Sequence, residues 1–468
     1  MVQTQSKIDS SQHEQIETKN PTTGQTYKVY DKHTKESAEG IIDKTHEAFL
    51  KWRETSLEER ANIIRQIAQC LADNKDELAR MMANQMGKPI SQGKSEVDLC
   101  VNICTYTADN GPKELKQEER KIANGKGIVS YEPIGVILGM QPWNFPCYQV
   151  VRYSIANIMA GNTTALKHAE ICWSTAQKLK QIYEDAGLPT NVFSVLYVDD
   201  ETVDELISHE KVRGVTMTGS AKAGKIVAQE SGKYLKKTVL ELGGSDPYIV
   251  LEDVKLDEIM ETCVRGRINN GGQTCIAAKR FIVLEDIYDE FKEEFVTAMK
   301  SISYGNPVDD EPDMGPLARE DLRNKLHDQV QESVKKGATV LCGGEIADGA
   351  GYFYPATVLE NVKPGMPAYD DELFGPVATL IKVSNEDEAI RVANDHRYGL
   401  GGGVFSGNKD RALKLAHKID TGMVNVNSYN LSQPSMPFGG VKESGYGREH
   451  GGFGIKEFVN IKSIMMSD

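Results

Sequence analysis

A cysteine delivered by a glycine-paired polar turn is the first residue of this chain with chemistry to offer. In Asn269-Asn270-Gly271-Gly272-Gln273-Thr274-Cys275 the turn leads directly into residues 276–283, a strand-like run. Paired glycines bend the backbone tightly and let a ligand approach without meeting a Cβ. The thiol of Cys275 is then either a nucleophile displayed beside free backbone N–H groups or a small buried hydrophobe. Glu241 closes the apolar stretch Thr238-Val239-Leu240-Glu241-Leu242 just before Gly243-Gly244. Burial there raises a carboxyl pKa and suits a general base; a structural salt bridge is the alternative. Asn144 stands between Trp143 and Phe145 in an extended turn held by Pro142 and Pro146, as a turn former or a positioned amide. A strand ending at Met217 opens through Thr218-Gly219-Ser220 into a helix that passes Gly224 and Ile226. Strand, glycine turn and helix N-terminus bind phosphate through free N–H groups, although the spacing is neither G-x-G-x-x-G nor a Walker loop.

Short apolar runs at 135–140, 162–167, 192–198 and 212–217 predict strands that would position these groups. Helical periodicity fills 37–83, where Ile41, Ile42, Ile63, Ile64, Ile67 and Leu71 recur on one face. Ser174 or Thr175 caps a further helix that Gly187 and Pro189 stop. Strands alternating with helices predict an α/β protein with a mostly parallel sheet. Helices are expected at 287–301 and 320–336, and strands at 339–341 and 461–465. Residues 1–20 read as a frayed tail, and the Lys/Glu-rich stretch at 110–127 as a solvated linker or a strand pair leaving the main body.

At 468 residues the chain exceeds one ordinary core, so two or three domains are expected. Its 40% apolar and 26% charged residues are those of a globular protein. A net charge of −14 disfavours nucleic acid and anionic membranes as partners. No apolar run approaches the ~20 residues that span a bilayer, and no secretory signal is visible. The eight cysteines are scattered without a CxxC pair, which points to a reducing cytoplasm. Cys100 and Cys104 share a helical face and read as buried neighbours. His209-Glu210 lacks the second histidine of a zinc-protease helix, and no metal site is expected.

In this order the motifs resemble the aldehyde dehydrogenase superfamily over nearly the whole chain. They are the turn from Pro142 to Pro146, Gly219-Ser220, Glu241-Leu242-Gly243-Gly244, Gly272-Gln273-Thr274-Cys275, Glu372-Leu373-Phe374-Gly375-Pro376 and Pro437-Phe438-Gly439-Gly440. The resemblance implies a doubly wound cofactor domain (1–114 and 132–240), an α/β catalytic domain (241–440) and a small β arm for oligomerisation (115–131 and 441–468). It makes Cys275 the nucleophile, Glu241 the general base and Asn144 the amide that steadies the oxyanion. Thiolate addition to an aldehyde gives a thiohemiacetal; loss of hydride to a nicotinamide leaves a thioester, which Glu241-activated water releases as the acid.

Similar enzymes place Lys167 and Glu170 at the adenine ribose, where a carboxylate repels a 2′-phosphate and favours NAD over NADP. By the same resemblance Gly219 and Ser220 meet the pyrophosphate, Gly224 and Leu242 belong to the cofactor site, Trp143 lies on the adenine side, and Glu372 and Phe374 at the nicotinamide ribose and ring. Arg152, eight residues past Asn144, resembles the arginine with which succinate-semialdehyde dehydrogenases grip a distal carboxylate. Ser432 and Phe438 fit the same pocket, and a salt bridge at a domain boundary is the other reading of Arg152. His168 also resembles that bacterial branch. Asn269 stands where some of those enzymes have a second arginine, and Tyr153 where many relatives have lysine.

The expected enzyme is thus a cytoplasmic, NAD-dependent homodimer or homotetramer that oxidises succinate semialdehyde. Another small aldehyde is the alternative substrate, and a retired binding or structural protein on this fold the alternative class. Glu241 disfavours a CoA-acylating relative, and a cysteine hydrolase lacks a histidine partner.

Overall fold

Two mostly parallel sheets and one small antiparallel sheet organise the chain, as the alternation of apolar strands with amphipathic helices requires. The computed structural model describes residues 14–309, 311–429 and 432–467. The first sheet runs Gly445–Tyr446, Lys237–Glu241, Val212–Thr218, Val136–Gln141, Thr163–His168 and Phe193–Leu196 in spatial order. Only its first pairing is antiparallel. Val136–Gln141 is buried at every position, which is why its sequence is an apolar run and not an alternation.

The second sheet runs Thr339–Cys342, Thr357–Glu360, Val377–Val383, Ala278–Leu284, Asp246–Val250, Gly403–Phe405 and Asn425–Val426. All its pairings but the first are parallel. Glu118–Ile122, Gly125–Pro133 and Val459–Met466 form the small antiparallel sheet, so the Lys/Glu-rich stretch is a strand pair and not a linker. Ile461, Ile464, Met465 and Met466 are exposed on its outer strand.

Several elements depart from expectation. Gln15–Lys19 pairs antiparallel with Thr26–Asp31, so part of the expected frayed tail is a hairpin; residues 1–13 lie outside the described residues. The helix expected to be capped by Ser174 or Thr175 begins at Trp173, with Cys172 as its N-cap. Both hydroxyls are used elsewhere, Ser174 by the Tyr30 hydroxyl and Thr175 by Gln85. Within the expected arm segment 441–468, Val441–Lys442 pairs with Tyr398–Gly399 and Gly445–Tyr446 with the strand of Glu241; only Val459–Met466 joins the arm sheet. Helix Tyr148–Ala160, which carries Arg152, is buried at every residue but Ala156, and so shows no amphipathic period.

Candidate active site

Cys275 lines two cavities at once, of about 280 and 340 Å³. Its turn follows helix Leu256–Ile268 and depends on left-handed backbone at Asn270, Gly271 and Gly272. A Cβ on Gly272 would lie 2.3 Å from the carbonyl oxygen of Gly375, so only glycine fits. Gly244 is as constrained, since a Cβ there would lie 2.6 Å from the Cys275 carbonyl oxygen. Two buried cations pin the turn. Arg267 donates to the carbonyls of Gly272 at 2.8 Å and Gly375 at 2.6 Å. Lys279 donates to those of Thr274 at 2.9 Å and Cys275 at 2.7 Å, and pairs with Glu372 at 3.3 Å. Sequence reasoning missed both; the signal was charged residues beside or inside otherwise apolar elements.

Burial pushes the Cys275 thiol up to about 12, against the pull of Lys279 and Arg152. Asn144 sits across the turn, its Nδ2 donating to the carbonyl of Gln273 at 3.0 Å. Glu241 is buried, and neither carboxylate oxygen has a hydrogen-bond partner. It does not line either cavity: a Cβ on Gly439 would stand 2.7 Å from its Oε1. Burial raises its pKa to about 8, with Arg152 opposing and Glu449 reinforcing the shift.

The first cavity brings together Trp143, Asn144, Gly219, Ser220, Leu242, Glu372 and Phe374. Ser220 caps helix Ala221–Lys233 by accepting from the Ala223 N–H at 3.2 Å. The first N–H groups of that helix have no intrahelical acceptor and face an anion favourably. Gly224 is not in the cavity wall. Its lack of a side chain makes room for Leu242, which a Cβ would meet at 2.5 Å. Trp143 also lines a third, open groove with Lys167 and Glu170, where Lys19 and Arg319 stand as well. Lys167 pairs there with Asp200 at 2.6 Å. A helix N-terminus at one cavity, joined through Trp143 to a polar groove, fits a dinucleotide with a pyrophosphate at its middle.

His168 ties down the turn that carries Trp143 and Asn144. Its ring bridges two backbone carbonyls, with Nδ1 3.1 Å from that of Gln141 and Nε2 3.0 Å from that of Pro146. Burial lowers its pKa to about 4, which keeps it neutral.

The second cavity is lined by Phe145, Tyr148, Thr274, Ser432 and Phe438, with the Tyr148 hydroxyl donating to Ser432 at 2.8 Å. Arg152, expected to grip a distal carboxylate, is not in its wall. The guanidinium is ion-paired with Glu449 and donates to Thr218 at 3.0 Å and to the Tyr148 hydroxyl at 3.2 Å. It stands behind Tyr148 and Phe438, 5.0 and 4.7 Å from their ring centres. Burial alone would weaken its charge, but Glu449, Tyr148 and Glu241 together more than compensate and hold it ionised. The salt-bridge reading of Arg152 is the one the geometry supports. Arg265, in the last turn of helix Leu256–Ile268, lines the second cavity instead, its one ion pair among the described residues an exposed one with Glu261 at 2.7 Å.

Among the described residues, no three His, Cys, Asp or Glu side chains are placed to hold a metal ion. No described helix is long and apolar enough to cross a membrane.

Residues 8–464 match the model of the aldehyde dehydrogenase family. A succinate-semialdehyde dehydrogenase (NADP(+)) of Deinococcus radiodurans is 43% identical, over 96% of this chain and 94% of its own. The succinate semialdehyde dehydrogenase (NAD(P)+) Sad of Escherichia coli is 41% identical, over 95% of this chain and 96% of its own. The crystal structure of a Streptococcus pyogenes succinic semialdehyde dehydrogenase in complex with NADP+ superposes with a TM-score of 0.94 at 38% identity, covering 97% of this chain and all of that one. The chain belongs to the aldehyde dehydrogenase family, with its Rossmann-like cofactor domain, catalytic domain and small β arm. It is an NAD(P)-dependent aldehyde dehydrogenase that works through a cysteine nucleophile.

Proposed function

We propose that the chain oxidises succinate semialdehyde to succinate, with Cys275 as nucleophile, Asn144 as oxyanion donor and Glu241 as general base. The observation that carries the reading is the position of Cys275 in the wall common to both cavities. One cavity then holds the nicotinamide end of the cofactor and the other the aldehyde, with the sulfur between them. The bound nicotinamide accepts hydride; the protein supplies position and charge. Cys275 gives up its proton to solvent water, its thiolate adds to the aldehyde carbon, and the developing O⁻ meets the second N–H of Asn144 Nδ2 and the Cys275 N–H. Glu241 swings from its place by Gly439 towards the thioester and takes a proton from the attacking water. Its lack of hydrogen-bond partners leaves that rotation free of bonds to break.

The substrate reading draws on the relatives named for succinate semialdehyde and on Arg265. Among the described residues, Arg265 and Lys88 are the cations in the second cavity's wall, and Lys88 is fully buried against Glu96. Exposed i,i+4 pairs such as Arg265–Glu261 contribute little, so a substrate carboxylate can displace Glu261. With butanal as the uncharged control, succinate semialdehyde is expected to show the higher kcat/KM. Arg265→Ala should lower the semialdehyde value about 30-fold, the worth of a charge-assisted hydrogen bond, and barely change butanal. Arg152→Ala, by contrast, should impair both aldehydes alike. Equal rates with the two aldehydes in the wild type would reject succinate semialdehyde as the substrate.

NAD is the favoured cofactor in this reading, because Glu170 stands beside Lys167 in the groove and repels a 2′-phosphate. Glu170→Gln is expected to raise kcat/KM for NADP by about tenfold and to leave NAD within about threefold. An unchanged NADP/NAD ratio would remove Glu170 as the discriminator.

A further inference from the structure

We propose that Lys88 and Glu96 form a positioning pair that holds the Asn144 amide against the Cys275 turn; this rests on the oxyanion role given to Asn144 above. Both side chains are 1% exposed and ion-paired with each other. Lys88 precedes helix Ile90–Glu114, and Glu96 lies in the second turn of that helix. The Lys88 ammonium donates to the carbonyl oxygen of Asn144 at 2.9 Å and stands 3.8 Å over the Phe145 ring. Asn270 Nδ2 donates to the same oxygen at 2.8 Å.

Glu96 Oε1 accepts from the N–H groups of Cys147 and Tyr148, each at 2.9 Å. These open helix Tyr148–Ala160, which has no capping side chain of its own. A carboxylate suits that helix terminus. The pair therefore grips the segment carrying Asn144 at both ends. The Asn144 side chain follows, with one N–H of Nδ2 spent on the Gln273 carbonyl and the other left for an oxyanion at Cys275. Stability alone is a poor reason to bury such a pair, because apolar residues of similar volume usually serve as well. Its hydrogen bonds have directions, and those directions lead to Asn144.

Lys88→Met combined with Glu96→Gln removes both charges, keeps an acceptor for the two N–H groups and deletes the donor to Asn144. The expected result is a kcat/KM for the aldehyde lowered about 100-fold, as misplacing a catalytic group by about 1 Å does. In an Asn144→Ala background the same pair of changes should cost less than about threefold, because the two act through one group. Iodoacetamide alkylation of Cys275, which needs no oxyanion donor, should keep its wild-type rate. If the double variant does not fold, Asn270→Gly removes the other donor to the Asn144 carbonyl and tolerates the positive φ. It should lose kcat/KM with the same non-additivity.

A kcat/KM kept within twofold, a full loss repeated in the Asn144→Ala background, or alkylation falling in parallel would each overturn the proposal. Unchanged kcat/KM in Asn144→Ala alone would instead overturn the reading of Asn144 on which it rests.

Discussion

Replacing Cys275 with alanine is expected to abolish aldehyde-dependent NAD reduction, lowering kcat by more than about 10⁴-fold, as loss of a covalent nucleophile does. NAD should still bind with wild-type affinity, because the other groups facing the first cavity, and all those facing the groove, belong to other segments. Initial-rate assays and calorimetric titration of NAD separate the two effects. Cys275 is also the described cysteine best placed for the task. Cys100, Cys104, Cys147, Cys172 and Cys263 are fully enclosed, while Cys70 and Cys342, though partly exposed, line neither cavity. Retention of even a few per cent of kcat would mean that another group attacks the aldehyde.

The second large effect concerns Glu241. Glu241→Gln should give one NADH per active site on mixing and then almost stop, with steady-state kcat down about 10²–10⁴-fold for a lost general base. Hydride loss precedes the step that needs the base, so the burst survives. The pH dependence follows from the pKa of about 8 that burial imposes. Below that value the carboxyl holds its proton and cannot accept another; above it the carboxylate is free. Steady-state turnover of the wild type should therefore rise with pH through about 8, and Glu241→Gln should lose that rise. A variant with an undiminished steady state would move the base elsewhere, Glu449 being the nearest alternative carboxyl in its electrostatic surroundings.

Much of this site was legible in the sequence because its parts announce themselves locally. A glycine pair before Cys275, a carboxylate closing an apolar strand and a glycine at a strand-to-helix junction each depend on neighbours a few positions away. The strands at 136–141, 163–168 and 212–218 were legible for the same reason, as runs buried on both faces. What stayed hidden was pairing over long distances. Arg152 carries the same charge whether it meets a substrate or Glu449, and only the folded chain shows which. Lys88 and Glu96 sit in an ordinary-looking helix entry until their contacts with Asn144 and the next buried helix are visible. Gly224 reads as a phosphate-loop glycine, yet it serves to admit Leu242.

The most direct test of the account is the intact and peptide mass of Glu241→Gln after mixing with NAD and succinate semialdehyde. The account predicts one succinyl group per chain, carried by the peptide containing Cys275 and released by hydroxylamine as a thioester is. An unmodified Cys275 alongside a full burst of NADH, or an acyl group on any other residue, would contradict it.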